Sequence, residues 1–134
     1  MNHTTNYNLN QWEAGDRVTR DDFNADNAKI DAAIKAVSSG SPKIASGSYA
    51  GNGKDGYENQ NSIEIGFAAK LVFIWPNTGD MHGIFVRPSP SSRIDGSNYS
   101  ASITWSSTGV RWYGYGAQIQ LNASDTTYYW VAIG

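Results

Sequence analysis

A chain of 134 residues has room for one ordinary domain, or for a small domain with an appended segment. It has no cysteine and only two histidines, which excludes disulfides and thiolate metal sites and makes a multi-histidine centre or a catalytic triad hard to build in one chain. A net charge of -2, charged residues at 16% and aromatics at 13% argue against a nucleic-acid binder and describe a β-rich domain with polar, uncharged loops.

The first ten residues are polar and carry no apolar h-region, so they do not form a secretory signal. No segment approaches the ~20 apolar residues that cross a bilayer, and no membrane insertion is expected. Helix signals come next. Phe23, Ile30, Ile34 and Val37 fall on one helical face, and Ala25, Ala28, Ala32, Ala33 and Ala36 supply propensity. Thr19 and Asp22 resemble a capping box, with Asp21 and Asp22 at the positive helix end, while Gly40 and Pro42 stop the helix. One helix is therefore expected within Thr19–Ser39. Its thin apolar face suits packing on copies of itself or on the chain's own β domain. As a coiled coil it is weak, with Phe23, Ile30 and Val37 at heptad a but Asp26 and Ala33 at d.

Ser38-Ser39-Gly40-Ser41-Pro42 reads as a flexible join between residues 1–43 and 44–134. Three aromatics precede residue 44 and 14 follow it, so the aromatic mass belongs to the second part. Strand signals then succeed one another: Lys43–Ala50, Ser62–Phe67, Lys70–Trp75, His82–Arg87, Tyr99–Trp105, Val110–Tyr115, Ala117–Leu121 and Tyr128–Ile133. Lys70–Trp75 and His82–Arg87 are continuous apolar runs, the pattern of strands buried on both faces. Tyr128–Ile133 is expected inside a sheet. The fold class is mainly β: an N-terminal helix followed by an antiparallel sandwich of about eight short strands.

Asn6-Tyr7-Asn8-Leu9-Asn10-Gln11-Trp12-Glu13, Asp16-Arg17-Val18 and Asp22-Phe23-Asn24-Ala25-Asp26-Asn27-Ala28-Lys29-Ile30-Asp31 together resemble the opening of tail-fibre and receptor-binding proteins of phages and prophages of Gram-positive, gut-type bacteria. Ser46-Gly47-Ser48-Tyr49, Ile63–Phe67, Lys70–Ile74 and Tyr129–Ala132 are similar to the β-sandwich tip modules of such fibres and, more distantly, to H-type lectins. The resemblance implies a homotrimer in contact with other tail proteins. It implies assembly in the host cytoplasm, release by lysis, and action outside the cell on the virion. It carries over no sugar-binding residues.

Candidate contacts come from the aromatics themselves. Flat aromatic faces stack on sugar rings, and amides and charged groups take the hydroxyls. Alternation along Arg111-Trp112-Tyr113-Gly114-Tyr115 puts Arg111, Tyr113 and Tyr115 on one face and Trp112 on the other. The expected ligand-binding set is Arg111, Trp112, Tyr113, Asn98, Tyr99 and Asp125, on a host cell-surface glycan. The alternative for each aromatic is a place in the core or a subunit interface. No cofactor and no metal site are expected; the one metal arrangement the residues offer is His82 meeting its copies on a trimer axis. Asp80 and His82 read as a carboxylate–imidazole pair or a solvated loop, and Arg87–Asp95 as a long polar loop that either contacts a ligand or simply connects two strands. A structural trimerisation knob is the main alternative function. A glycan-degrading tail spike is the third, and it would need two carboxylates across a groove from among Asp55, Glu58, Glu64, Asp80, Asp95 and Asp125.

Overall fold

The polar start of the chain makes two short strands, β1 (Asn2–His3) and β2 (Asn10–Gln11), which pair antiparallel. Two residues hold no period, so alternation could not reveal them. The helix α1 then runs Arg20–Gly40. Thr19 is its N-cap: the hydroxyl accepts the Asp22 N–H at 3.2 Å and donates to Asp22 Oδ2 at 2.6 Å. Gly40 is the last helical residue, so Ser38, Ser39 and Gly40, expected in a flexible join, instead form the last helical turn, and Ser41 closes the end by donating its N–H to Val37 O at 3.0 Å. Asp26, a poor residue for a coiled-coil seam, has a different task. Its carboxylate accepts the Asn10 N–H at 2.9 Å and anchors the N-terminal arm to the helix. Tyr7 and Leu9 of that arm join Ile30, Ala33, Ile34 and Val37 around an open apolar groove of about 450 Å3.

The computed structural model describes residues 1–134, which divide into Met1–Ser41 and Pro42–Gly134. The second unit is a sandwich of eight strands: β3 (Ile44–Ala50), β4 (Asn61–Glu64), β5 (Leu71–Pro76), β6 (Gly83–Val86), β7 (Ser91–Arg93), β8 (Ser100–Trp105), β9 (Gly109–Tyr113) and β10 (Thr127–Ile133). One antiparallel sheet has the order β3-β10-β5-β6 and the other β4-β9-β8-β7. The last strand, β10, pairs with β3 and β5 and so lies inside its sheet.

Aromatic side chains fill the space between the sheets. Trp112 and Tyr128 are fully buried. Tyr49 stacks on Tyr128 with centroids 5.2 Å apart, and Phe85 meets Trp112 edge-on at 5.3 Å. The Tyr49 hydroxyl donates to Leu121 O at 2.7 Å, and Tyr128 Oη accepts the Ala123 N–H at 3.1 Å. Each polar tip thus keeps a partner inside an apolar layer.

Three expectations need correction. Ala117–Leu121 is not a strand. It is a helical turn in which Gln120 N–H reaches Gly116 O at 3.0 Å and Asn122 N–H reaches Ala117 O at 2.8 Å. Gly114 and Gly116 release the backbone into that turn, the latter at φ 109°. Conversely, part of the expected Arg87–Asp95 connection is strand β7, paired with β8. Serines flanked by prolines gave it no apolar signature. The third correction concerns β5 and β6, which are not buried on both faces. Val72, Ile74 and Phe85 point into the core, whereas Trp75 is 59% exposed and Val86 52% exposed. Within the unit Pro42–Gly134 no layer covers the outer side of their sheet.

Candidate functional site

Alternation on β9 decides which side chains meet solvent. Arg111 is exposed and Tyr113 half-buried on the outer face, while Trp112 between them is 0% exposed. Trp112 also donates its Nε1–H to Gln120 O at 2.7 Å. It is therefore a core residue and not part of a ligand surface, because the strand's other face fills the sandwich.

Tyr113 stands at the centre of a cluster. Tyr57 meets its ring edge-on with centroids 5.5 Å apart, and Tyr115 does so at 5.9 Å. Tyr57 is 61% and Tyr115 75% exposed, so both rings offer broad faces to solvent. Register adds the polar neighbours. Tyr113 lies opposite Ser102, which lies opposite Ser91; Arg111 lies between Ser62 and Thr104. Directly opposed residues share a face, so hydroxyls and a guanidinium line the same outer surface as the tyrosines.

The loops carrying the outer two rings are held by a buried amide. Gln120 Oε1 accepts the Gly56 N–H at 2.8 Å and the Gly114 N–H at 3.2 Å. Its Nε2 donates to Asn59 O at 2.6 Å and to Asn61 Oδ1 at 3.1 Å. Asp55 Oδ2 accepts the Gly116 N–H at 2.7 Å, and the Gly56 N–H also reaches Gly114 O at 2.9 Å. Gly114 is required here, since a Cβ would come 2.8 Å from Ile119 Cγ2. The short 3-10 turn Tyr57–Asn59 is thereby fixed against the end of β9. Rings held this way lose little side-chain freedom when a ligand arrives.

The other expected site residues lie elsewhere. Tyr99 and Asn98 are exposed before β8, but Tyr99 falls in the alternation of the inward Ala101 and Ile103, out of step with Tyr113. Asp125 is exposed in the loop before β10, at φ 60°. Neither the structure's aromatic contacts nor its hydrogen bonds join these three to Arg111 and Tyr113. Tyr57, Asp55 and Gln120 were missed as site residues. Tyr57 sits in a Gly/Asn-rich loop, and an aromatic in a polar loop was the one signal available.

Of the six carboxylates that hydrolysis could draw on, Asp55, Asp80 and Asp95 are engaged in loop contacts. Hydroxyls of Thr126 and Thr78, each 2.7 Å away, hold the Asp80 carboxyl below the usual carboxylate range. His82 does not pair with Asp80. Its Nδ1 lies 2.8 Å from Asp95 Oδ1, and its ring stacks on Trp75 at 4.2 Å. Arg87 donates to Ala69 O and Ser106 O and lies over the Trp105 ring, which anchors the start of the Arg87–Asp95 loop. Comparison with family models, curated proteins and solved structures finds no match for this chain.

Proposed function

We propose that this chain is the tip of a phage tail fibre that binds a host cell-surface glycan as a homotrimer. The observation that carries the reading is the Tyr57–Tyr113–Tyr115 cluster, with two rings largely open to solvent on a face otherwise lined by serine, threonine and arginine. Tyrosine suits such a surface because its ring packs on the apolar side of a sugar while its hydroxyl stays wet. The residue set is narrower than the sequence suggested: Tyr57, Tyr113, Tyr115 and Arg111 form it, and Trp112 leaves it. The resemblance of the N-terminal segment to phage fibres supplies the biological setting, with other tail proteins as neighbours and action outside the cell. One site is expected to bind near millimolar, about 4 kcal/mol. Three sites on one trimer raise the apparent affinity through effective concentration.

The test is binding of the purified chain to a glycan array and to host cells, with Tyr57→Ala and Tyr115→Ala beside it. Each substitution removes a ring face worth ~1 kcal/mol, so each weakens binding about five- to tenfold at unchanged mass and fold. Undiminished binding by both variants defeats the site. A wild-type chain that binds no glycan and no cell favours the structural knob.

A further inference from the structure

The sheet β3-β10-β5-β6 turns an apolar outer face to solvent. Its rows are set by register: Tyr129 beside Trp75, Val131 beside Phe73 and Ile84, and Val86 beyond Leu71. None of its four strands contains Asp, Glu, Lys or Arg. We infer that this face is the contact between copies of this chain. The inference rests on the homo-oligomer in the reading above but not on its glycan.

Area supports it. Four strands ~4.8 Å apart and about six residues at ~3.3 Å make a face of roughly 400 Å2 in plan. Its apolar part on β10, β5 and β6, with Ser46 and Ser48 at its β3 edge, approaches the size of patch a monomer rarely leaves bare. Two such faces, with their side-chain relief, remove on the order of 1,000 Å2 from water, the threshold of a specific interface. Charge supports a copy over another partner. A face whose strands carry no formal charge, with Asp95 at its edge held by the His82 that stacks on Trp75, meets itself with little like-charge repulsion, whereas a partner selected by electrostatic complementarity would leave a charged imprint on it. Relief supports it as well. Tyr129 and Val131 on β10 and Trp75 and Phe73 on β5 form a ridge of large outward side chains, and on β3 the short Ser48 and Ser46 lie beside Tyr129 and Val131. A ridge next to a low strip lets the ridge of one copy seat on the strip of the next. That is a heterologous contact, which closes into a ring.

The experiment is the solution mass of the full chain by light scattering at micromolar concentration, for wild type, Trp75→Lys and Val86→Lys. Trp75→Ser, which adds no charge, is measured as a milder variant, and Thr104→Lys on the other sheet's exposed face is the control. Circular dichroism checks folding, which is expected to persist because each altered side chain is solvent-exposed in the single chain. The expected result is a wild type and a Thr104→Lys variant at three times the 14.6 kDa chain. The two lysine variants fall to the monomer mass, an affinity loss of about a hundredfold or more. A wild-type mass of two chains supports the face but overturns the trimer of the proposed function. A monomeric wild type, or lysine variants that keep the wild-type mass, overturns the inference. Glycan binding is scored separately, so failure of the tyrosine site leaves a distinct signature: unchanged mass with unchanged binding in Tyr57→Ala.

Discussion

The two outer faces of one sandwich follow opposite chemistries. On β4-β9-β8-β7 the outward positions carry serine, threonine, Arg111, Glu64 and Arg93 around the tyrosine cluster. On β3-β10-β5-β6 they carry Trp75, Phe73, Val86 and Val131 with no formal charge in any strand. A sheet with one wet side reads as clean alternation, and β8 and β9 read that way. Strands β5 and β6 read as buried on both sides, yet the single chain buries only one side of them. The sequence pattern of β5 and β6 thus describes a covered strand, and the sandwich unit by itself does not supply the cover. On the proposed reading the wet face takes a polar ligand and the dry face is covered by a copy of the chain.

The largest expected effect tests the division at its centre. Trp112→Ala opens a cavity between the sheets and should cost about 3–5 kcal/mol. Thermal unfolding measures it, as a fall in Tm of well over ten degrees for a 134-residue chain. A variant with unchanged Tm and reduced glycan binding would return Trp112 to the wet face and break the comparison. Gln120→Leu comes next. It removes the acceptor of two backbone N–H groups and the donor to Asn59 O and Asn61, and should cost about 2–3 kcal/mol. Because Gln120 fixes the loop that carries Tyr57, binding should fall with stability, while the mass of the assembly, set by the opposite face, should not change. Light scattering separates the two effects.

Much of this was legible in the residues, and the failures have physical causes. Helix α1 was visible because Phe23, Ile30, Ile34 and Val37 repeat at helical spacing and Thr19 caps. Eight sandwich strands were expected and eight are present, but two errors cancel in that number. Strand β7 was invisible because Ser91-Ser92-Arg93 carries no apolar alternation. Ala117–Leu121 passed for a strand because Ile119 and Leu121 alternate, although their side chains enter the core from a helical turn. At the site, the outward turn of Arg111 and Tyr113 followed from period two. Tyr57 did not, because it meets Tyr113 only through a loop closed by Gln120, and no local pattern encodes a contact between residues so far apart in the chain.

A smaller effect is expected at alkaline pH, and it belongs to the core that separates the faces. Burial pushes the Tyr49 hydroxyl well above its ordinary range, and the neighbouring Tyr128 adds to this. Burial also raises Tyr128. Both are neutral in the fold and ionise more easily once unfolded. Their contribution is therefore complete below the unfolded value near pH 10 and is lost as pH rises above it. Denaturant unfolding should show falling stability above about pH 10. Tyr49→Phe, which loses the bond to Leu121 O, should be about 1 kcal/mol less stable at neutral pH yet lose less over the alkaline range. An alkaline slope identical to wild type would show that Tyr49 does not report on the core.

The smallest effect is expected from salt, and it sharpens the comparison because the two faces should respond in opposite senses. The wet face binds through Tyr57 and Tyr115, which carry no charge at neutral pH, and Arg111 is its one cation in the proposed set. An exposed Arg111 is screened within ~10 Å at 0.1 M salt, so raising salt from about 0.05 to 0.5 M should lower the affinity for a neutral glycan by less than twofold. The strands of the dry face carry no formal charge to screen. An excluded salt such as sulfate strengthens apolar burial, so the assembly should tighten under the same change made with sulfate. Titration of the binding and the mass in parallel measures both. A steep loss of binding with salt would mean that Arg111 holds an acidic glycan and that the tyrosines only frame it. Dissociation of the assembly by salt would mean that charges outside β3, β5, β6 and β10 hold the copies together.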